Sequence, residues 1–246
     1  MKADVFFEVL EHVDEKLVEE ARTPQRHRKK RKFFTLAALA ACFAFVIGGS
    51  FFFLRGDGSH GSSNVTIQYT DPPVFSASKD ELIYLTEEEI FTHFELAIFK
   101  GIITDIQNIQ LDFSGIKEYR ALAQIQIEAV YHGNCEAGET VTVLLPCPIS
   151  TDVWVGDTDI ISALEVGMRG IFMPTAYSEH SYWEQNGATL FMKDLVDYGF
   201  ADGQRYAFLE TKHGLLYAKE AFPSMTKATT LDAVEQYIIQ MIAMLL

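Results

Sequence analysis

Residues Tyr119 to Tyr131 read YRALAQIQIEAVY, and their alternation decides the fold. Tyr119, Ala121, Ala123, Ile125, Ile127, Ala129 and Tyr131 share one parity, while Arg120, Gln124, Gln126 and Glu128 share the other. A period of two is the signature of a β-strand with one face against a core. Working outward, HGNCEAGE (132–139) is a turn, and TVTVLL (140–145) resumes the alternation with Val141, Val143 and Leu145. Upstream, IFKGIITDI (98–106) reads as another strand, preceded by a capping box at Thr86–Glu89 that opens a short helix carrying Ile90, Phe91 and Phe94. Downstream, GMRGIFMPTAY (167–177), QRYAFLE (204–210) and GLLYAKE (214–220) read as three more strands. Gly214 supplies positive φ to the hairpin between the last two. The spacing in LFMKDLVDYGF (190–200) predicts a helix. From Thr229 to Leu246, Leu231, Val234, Tyr237, Ile238, Met241, Ile242 and Leu245 recur at helical spacing behind Thr229 and Asp232 as a cap. That stripe is too short and too amphipathic to span a bilayer, so it is expected to dock on the domain.

At least five strands of this length, turn-rich and with a helix at each end, predict a closed or partly closed barrel. The run from IFKGIITDI to LEVGMRGIFM resembles OB-like barrel domains of exported Gram-positive proteins, matching their hairpin pattern at Gly133, Gly138, Val141, Val143 and Gly167. Such barrels bind very different partners, so the resemblance implies a fold and no particular ligand.

The N-terminal quarter obeys a different rule. Phe33 to Leu54 is a run of 22 residues without a charge. At 1.5 Å per residue a helix of that length covers roughly 33 Å, enough for a bilayer core. Twelve of these residues are Phe, Leu, Ile or Val, which together favour insertion by roughly 5 kcal/mol. A cleaved signal peptide would have a shorter apolar region and a small-residue cleavage site, which Phe51-Phe52-Phe53-Leu54 does not offer. Leu39-Ala40-Ala41-Cys42 resembles a lipobox, but twelve more uncharged residues follow Cys42, so it reads as a small apolar member of the helix.

Charge sets the orientation. Residues 1–32 hold nine Lys or Arg against seven Asp or Glu, leaving eleven against 27 for residues 33–246. Arg28, Lys29, Lys30, Arg31 and Lys32 abut the apolar run, with Arg22 and Arg26 close behind, and only Arg55 lies near on the other side. The positive-inside rule therefore predicts a cytoplasmic N-terminus and an extracytoplasmic C-terminal part. A region carrying net −16 repels nucleic acid and anionic membrane surfaces alike, so nucleic acid is excluded as a partner.

Within residues 1–32, Phe6, Leu10, Val13 and Leu17 recur at three- and four-residue spacing among Glu8, Glu11, Asp14, Glu15, Glu19 and Glu20. One amphipathic helix of this length is marginal alone in water, so the stripe predicts a cytoplasmic protein partner. VDEKLVEEA (13–21), RKKRK (28–32) and LAALAACFAFV (36–46) resemble the N-terminal module of single-pass Gram-positive membrane proteins, some of them anti-sigma-factor-like. The resemblance implies placement in the cell membrane. This stretch has His12 and His27 but no Cys before Cys42, so it departs from the zinc-binding form of an anti-sigma domain.

Candidate chemistry is sparse. Cys135 and Cys147 flank a strand of about six residues, whose roughly 20 Å length argues against the 5.5 Å approach a disulfide needs. Asp152, Asp157 and Asp159 fit no EF-hand spacing and read as a solvated acidic turn. His180 and Glu184 in HSYWE have no second His nearby and read as a polar surface loop. No nucleophile elbow, HExxH or P-loop pattern occurs, so no catalytic, cofactor or metal residue is assigned.

The resulting expectation is a membrane-anchored α+β chain: one transmembrane helix followed by a mainly β, OB-like partly closed barrel with flanking helices. Residues 1–32 form the cytoplasmic segment, 33–54 the span in the lipid bilayer, 55–80 a flexible or extended tether, and 81–246 the extracytoplasmic domain. The function expected is non-enzymatic sensing or interaction with an unknown envelope ligand. The alternatives are a transmembrane regulator acting through its cytoplasmic helix, and an envelope hydrolase.

Overall fold

The computed structural model describes residues 64–71, 82–149 and 155–245. The amphipathic stripe of Phe6, Leu10, Val13 and Leu17, the basic run Arg28 to Lys32 and the apolar run Phe33 to Leu54 lie outside the described residues. Among the described residues no helix is long and apolar enough to cross a membrane.

The domain is mainly β. Its spine is a hairpin of two long strands, β2 (Ile98–Phe113) and β3 (Ile116–His132), joined by Ser114 and Gly115 at φ 53° and 101°. Positive φ at both turn positions matches the right-handed twist of the flanking strands. Strand β4 (Thr140–Leu145) follows β3 antiparallel. One edge of β2 is shared between β5 (Arg169–Phe172), which pairs with Phe99–Ile102, and β1 (Thr66–Tyr69), which pairs with Ile109–Asp112.

Strand pairing then returns on itself and curls the sheet into a half-barrel. Strand β6 (Thr175–Ala176) continues the line of β5 and pairs with β9 (Tyr198–Gly199), which lies parallel to β4. Ala97 donates its N–H to the Pro174 carbonyl at 2.9 Å and Ala176 to that of Glu95 at 2.8 Å, so the far end of the sheet meets the chain entering β2. Strand β10 (Ala207–Thr211) covers the other edge of β5 and forms a hairpin with β11 (Gly214–Leu216), with Gly214 at φ 109°.

Three irregularities coil the long hairpin. Thr104 on β2 and Glu128 and Tyr131 on β3 have no register partner. Each extra residue moves the following side chains to the opposite face. Before Thr104, Phe99 and Ile103 point into the main core; after it, Ile109, Leu111 and Phe113 join a second core. On β3, Ala121, Ala123, Ile125 and Ile127 are buried as the alternation predicts, and Tyr131 packs against the main core. Tyr119 and Ala129 lie outside both clusters: Tyr119 precedes the barrel and donates to Gln110, and the bulge at Glu128 turns Ala129 away, bringing in Val130.

The second core corrects two expectations. Residues 181–185 are not a polar loop, because Tyr182–Gln185 form β7, paired with β8 (Ala188–Phe191) across Asn186 and Gly187 at φ 50° and 73°. Residues 190–200 are not one helix: they comprise the end of β8, a 3-10 turn at Met192–Asp194, and β9. Leu190, Met192 and Val196 mimic helical spacing because a strand and a turn both direct them into this core. Asn186 Nδ2 donates to the Ser114 carbonyl at 2.9 Å, fixing the β7–β8 hairpin over the tip of β2–β3.

Among the described residues two α-helices flank the half-barrel. Helix α1 (Glu87–Thr92) begins with the expected capping box: Thr86 Oγ1 accepts from the Glu89 N–H, and the Glu89 carboxylate accepts from the Thr86 N–H. The two bonds to Thr86 hold the Glu89 carboxyl below its ordinary pKa. Helix α2 (Leu231–Leu245) buries Leu231, Val234, Ile238 and Met241 against the main core, with Thr230 rather than Thr229 accepting at its start. Four such side chains contribute roughly 6–12 kcal/mol of burial as an upper estimate. Ser224 donates its N–H and Oγ to the Glu87 carboxylate at 3.0 and 2.6 Å, tying α1 to the turn before α2.

Candidate functional site

The ladder between β5–β6 and β9–β10 contains an excess of chain on one side. Two residues, Met173 and Pro174, separate the paired positions Phe172 and Thr175, whereas seven, Phe200 to Tyr206, separate their partners Gly199 and Ala207. The excess leaves the sheet as a loop, ADGQR at 201–205. This loop forms one wall of a cleft of about 230 Å³, with Leu82, Ile83, Phe94 and Arg120 opposite and the turn around Asp157 alongside.

A buried ion pair shapes the loop. The side chains of Asp202 and Arg205 are only 6% and 8% exposed. Asp202 Oδ2 accepts from Arg205 Nε at 2.8 Å and Nη2 at 2.7 Å, and Oδ1 accepts the N–H groups of Gln204 and Arg205, both at 2.8 Å. Arg205 Nη1 reaches across to the Ile83 carbonyl at 2.8 Å. A planar guanidinium can satisfy a carboxylate and a carbonyl together, which the point charge of a lysine cannot do with the same geometry. The pair thus fixes the segment displaying Ile83 and Tyr84, which are 62% and 88% exposed.

The backbone packs closely where the walls meet. A Cβ on Gly203 would lie 2.5 Å from Thr158 Cα, so only glycine fits. Ile161 donates its N–H to the Gly203 carbonyl at 3.0 Å, and Gln204 Nε2 donates to Asp159 Oδ2 at 2.8 Å. Asp157 occupies the left-handed region at φ 56°, where Asp and Asn are tolerated better than other non-glycine residues. Arg120 is held by its own Nη1 bond to the Tyr119 carbonyl at 2.8 Å, by Glu118 at 3.3 Å, and by the Trp183 ring 4.9 Å beneath its guanidinium. That stacking links the cleft to the β7–β8 hairpin.

Two groups near the cleft are shifted by burial. The Cys147 thiol is pushed up by desolvation, against opposing effects of Thr158 and Arg120. Tyr206 is fully buried, its hydroxyl has no hydrogen-bond partner among the described residues, and desolvation with the nearby Asp202 carboxylate raises its pKa.

The residues singled out from sequence are placed as follows. Cys135 and Cys147 are both buried and free, unbridged as the strand length requires. Asp157 lines the cleft while Asp159 is engaged by Gln204, and Asp152 lies outside the described residues. His180 and Glu184 are exposed, on the approach to β7 and on β7 itself. Among the described residues no group of three or more His, Cys, Asp or Glu converges on a metal position. Sequence reading missed Asp202, Arg205 and the role of Arg120. The signal was present in the Asp-Gly turn of ADGQR, where an acid and a base three apart sit between apolar residues. Comparison with protein families, with curated proteins and with solved structures returned no match.

Proposed function

We propose that this chain is a single-pass membrane protein whose extracytoplasmic domain is an OB-like barrel working as a non-enzymatic binding module in the cell envelope. The strand order supports the OB-like reading. A coiled hairpin, β2–β3, leads to β4; β5–β6 returns to the free edge of β2; and β9–β10 joins β6 to β4, with its contact to β4 parallel. These pairings support reading the half-barrel as a five-stranded, partly open Greek-key barrel.

The observation that carries the binding function is the cleft itself. Its walls are held by charges that satisfy one another, Asp202 with Arg205 and Arg205 with the Ile83 carbonyl, leaving a preformed recess. The membrane reading rests on the uncharged run Phe33 to Leu54 and its basic flank Arg28 to Lys32. The resemblance of residues 13–46 to single-pass Gram-positive modules supports the same placement.

Protease added to intact protoplasts tests the topology. The expected result is digestion beyond about residue 60 with an N-terminal tag protected; cleavage of that tag from outside reverses the orientation. A second reading is favoured by the stripe of Phe6, Leu10, Val13 and Leu17, which would carry a signal from the exterior domain to a cytoplasmic protein.

A further inference from the structure

We infer that the cleft between the Asp157 and Asp202 turns takes a neutral, polyhydroxylated ligand, a single sugar ring of an envelope glycan. The inference rests on reading this domain as a binding module and names the ligand class. Charge narrows the choice first. Among the described residues the lining carries two cations, Arg120 and Arg205, and two anions, Asp157 and Asp202; the Asp202–Arg205 pair neutralises itself, so Arg120 and Asp157 meet the ligand, and an ionic ligand of either sign gains one contact and suffers the opposite one. An apolar ligand is disfavoured as well, since it would cover the Asp157 carboxylate without giving it a partner.

What remains is a ligand that both donates and accepts at several points. Among the described residues Asp157 has no hydrogen-bond or ion-pair partner, unlike Asp159 and Asp202, so its carboxylate is available to accept from hydroxyls. The Arg120 guanidinium, stacked on Trp183 and bonded through Nη1, keeps further N–H groups to donate. Size narrows the choice further. A cleft of about 230 Å³ lies below the roughly 300–1,000 Å³ of pockets that take drug-sized molecules, which suits a single ring. Tyr84, the chain neighbour of the lining residue Ile83, is displayed almost fully to solvent on a segment whose backbone Arg205 clamps. An exposed aromatic on the segment that lines the recess offers a face for the C–H side of a sugar whose hydroxyls enter the recess.

The test is saturation-transfer NMR on the protons of N-acetylglucosamine with the full chain in detergent micelles, with glucose 6-phosphate and glucosamine as charged competitors. The expected result is transfer to the neutral sugar that saturates with concentration, and that the charged sugars displace at least tenfold less well. Asp157→Asn keeps a residue that tolerates positive φ and should weaken binding about tenfold. Tyr84→Ala removes an exposed ring without touching the core and should weaken it comparably. Absence of transfer to N-acetylglucosamine, equal or tighter binding of a charged sugar, or parental binding by both variants overturns the inference. Protoplast proteolysis reads the topology independently, so an exterior domain that gives no sugar signal refutes the ligand class alone.

Discussion

Arg205→Met removes the cation of the buried pair while retaining most of the side-chain volume, so its effect is mainly electrostatic. The substitution deletes the two bonds to Asp202 and the bond to the Ile83 carbonyl. Breaking a buried ion pair by removing one partner costs about 3–5 kcal/mol, because the other charge stays buried without compensation. Here Asp202 keeps the N–H groups at positions 204 and 205, which places Arg205→Met near the lower bound, about 3 kcal/mol. In a domain of this size that lowers Tm by about 6–12 °C. Asp202→Ala should be worse, about 5 kcal/mol, since it strands a guanidinium with one carbonyl and also takes the acceptor from two backbone N–H groups. The double variant Asp202→Ala with Arg205→Met should cost at least about 2 kcal/mol less than the sum of the singles. Thermal and denaturant unfolding of the full chain, followed by circular dichroism, measure all three. A loss under about 0.5 kcal/mol for Arg205→Met, the range of an ordinary surface substitution, would refute the reasoning. So would additivity of the two singles, or a milder effect for Asp202→Ala.

Two further outcomes follow from packing and burial. Gly101 on β2 lies opposite Gly170 on β5, and a Cβ at Gly101 would sit 2.6 Å from the Gln126 carbonyl oxygen and 2.8 Å from Ile125 Cγ2. Gly101→Ala is therefore expected to destabilise by about 1–3 kcal/mol through overpacking against backbone, read as a shift in denaturant midpoint with unchanged slope. In alkali, burial raises Tyr198 and Tyr237 to about 12, and Tyr131 and Tyr206 are raised as well. Because the folded pKa exceeds the unfolded value of about 10, the stabilisation is fully present below pH about 10 and is lost as pH rises through about 12, where the folded phenols ionise too. Stability measured across that window should fall, because the unfolded phenols ionise before the folded ones; a flat profile contradicts the burial.

Much of this fold was legible where one physical signal acted without competition. The alternation of TVTVLL coincides with β4, the Thr86–Glu89 capping box starts α1, and the stripe from Leu231 to Met241 docks α2. The misses share a different cause. The second half of β2 was hidden because Thr104 shifts the register and Gln107 and Asn108 interrupt the apolar pattern, although Ser114-Gly115 is a turn dipeptide. The β7–β8 hairpin carries one local signal, the Asn186-Gly187 turn dipeptide, but its packing is distant: the Phe113 and Trp183 rings lie 4.7 Å apart at positions 70 residues apart in sequence. Such a contact leaves no local periodicity. The cleft was illegible for the same reason: Ile83, Arg120, Asp157 and Arg205 meet only after the sheet has curled.

The site and the barrel have separate origins in this chain, and the ion pair couples them. Curling requires only that β6 meet both β9 and the entry to β2, which its backbone bonds accomplish with two residues between Phe172 and Thr175. The seven residues opposite are more than the ladder needs, and an excess segment at a sheet edge would otherwise lose little by swinging into water. Asp202 turns the excess into a folded loop by accepting two of its own N–H groups, and Arg205 anchors it to Ile83 on the far wall. The same bonds that hold the loop down therefore set the width of the cleft and the position of the segment carrying Ile83. Altering the pair should change the recess before it changes the barrel, because β2, β3 and β4 pair with one another through positions the loop never touches.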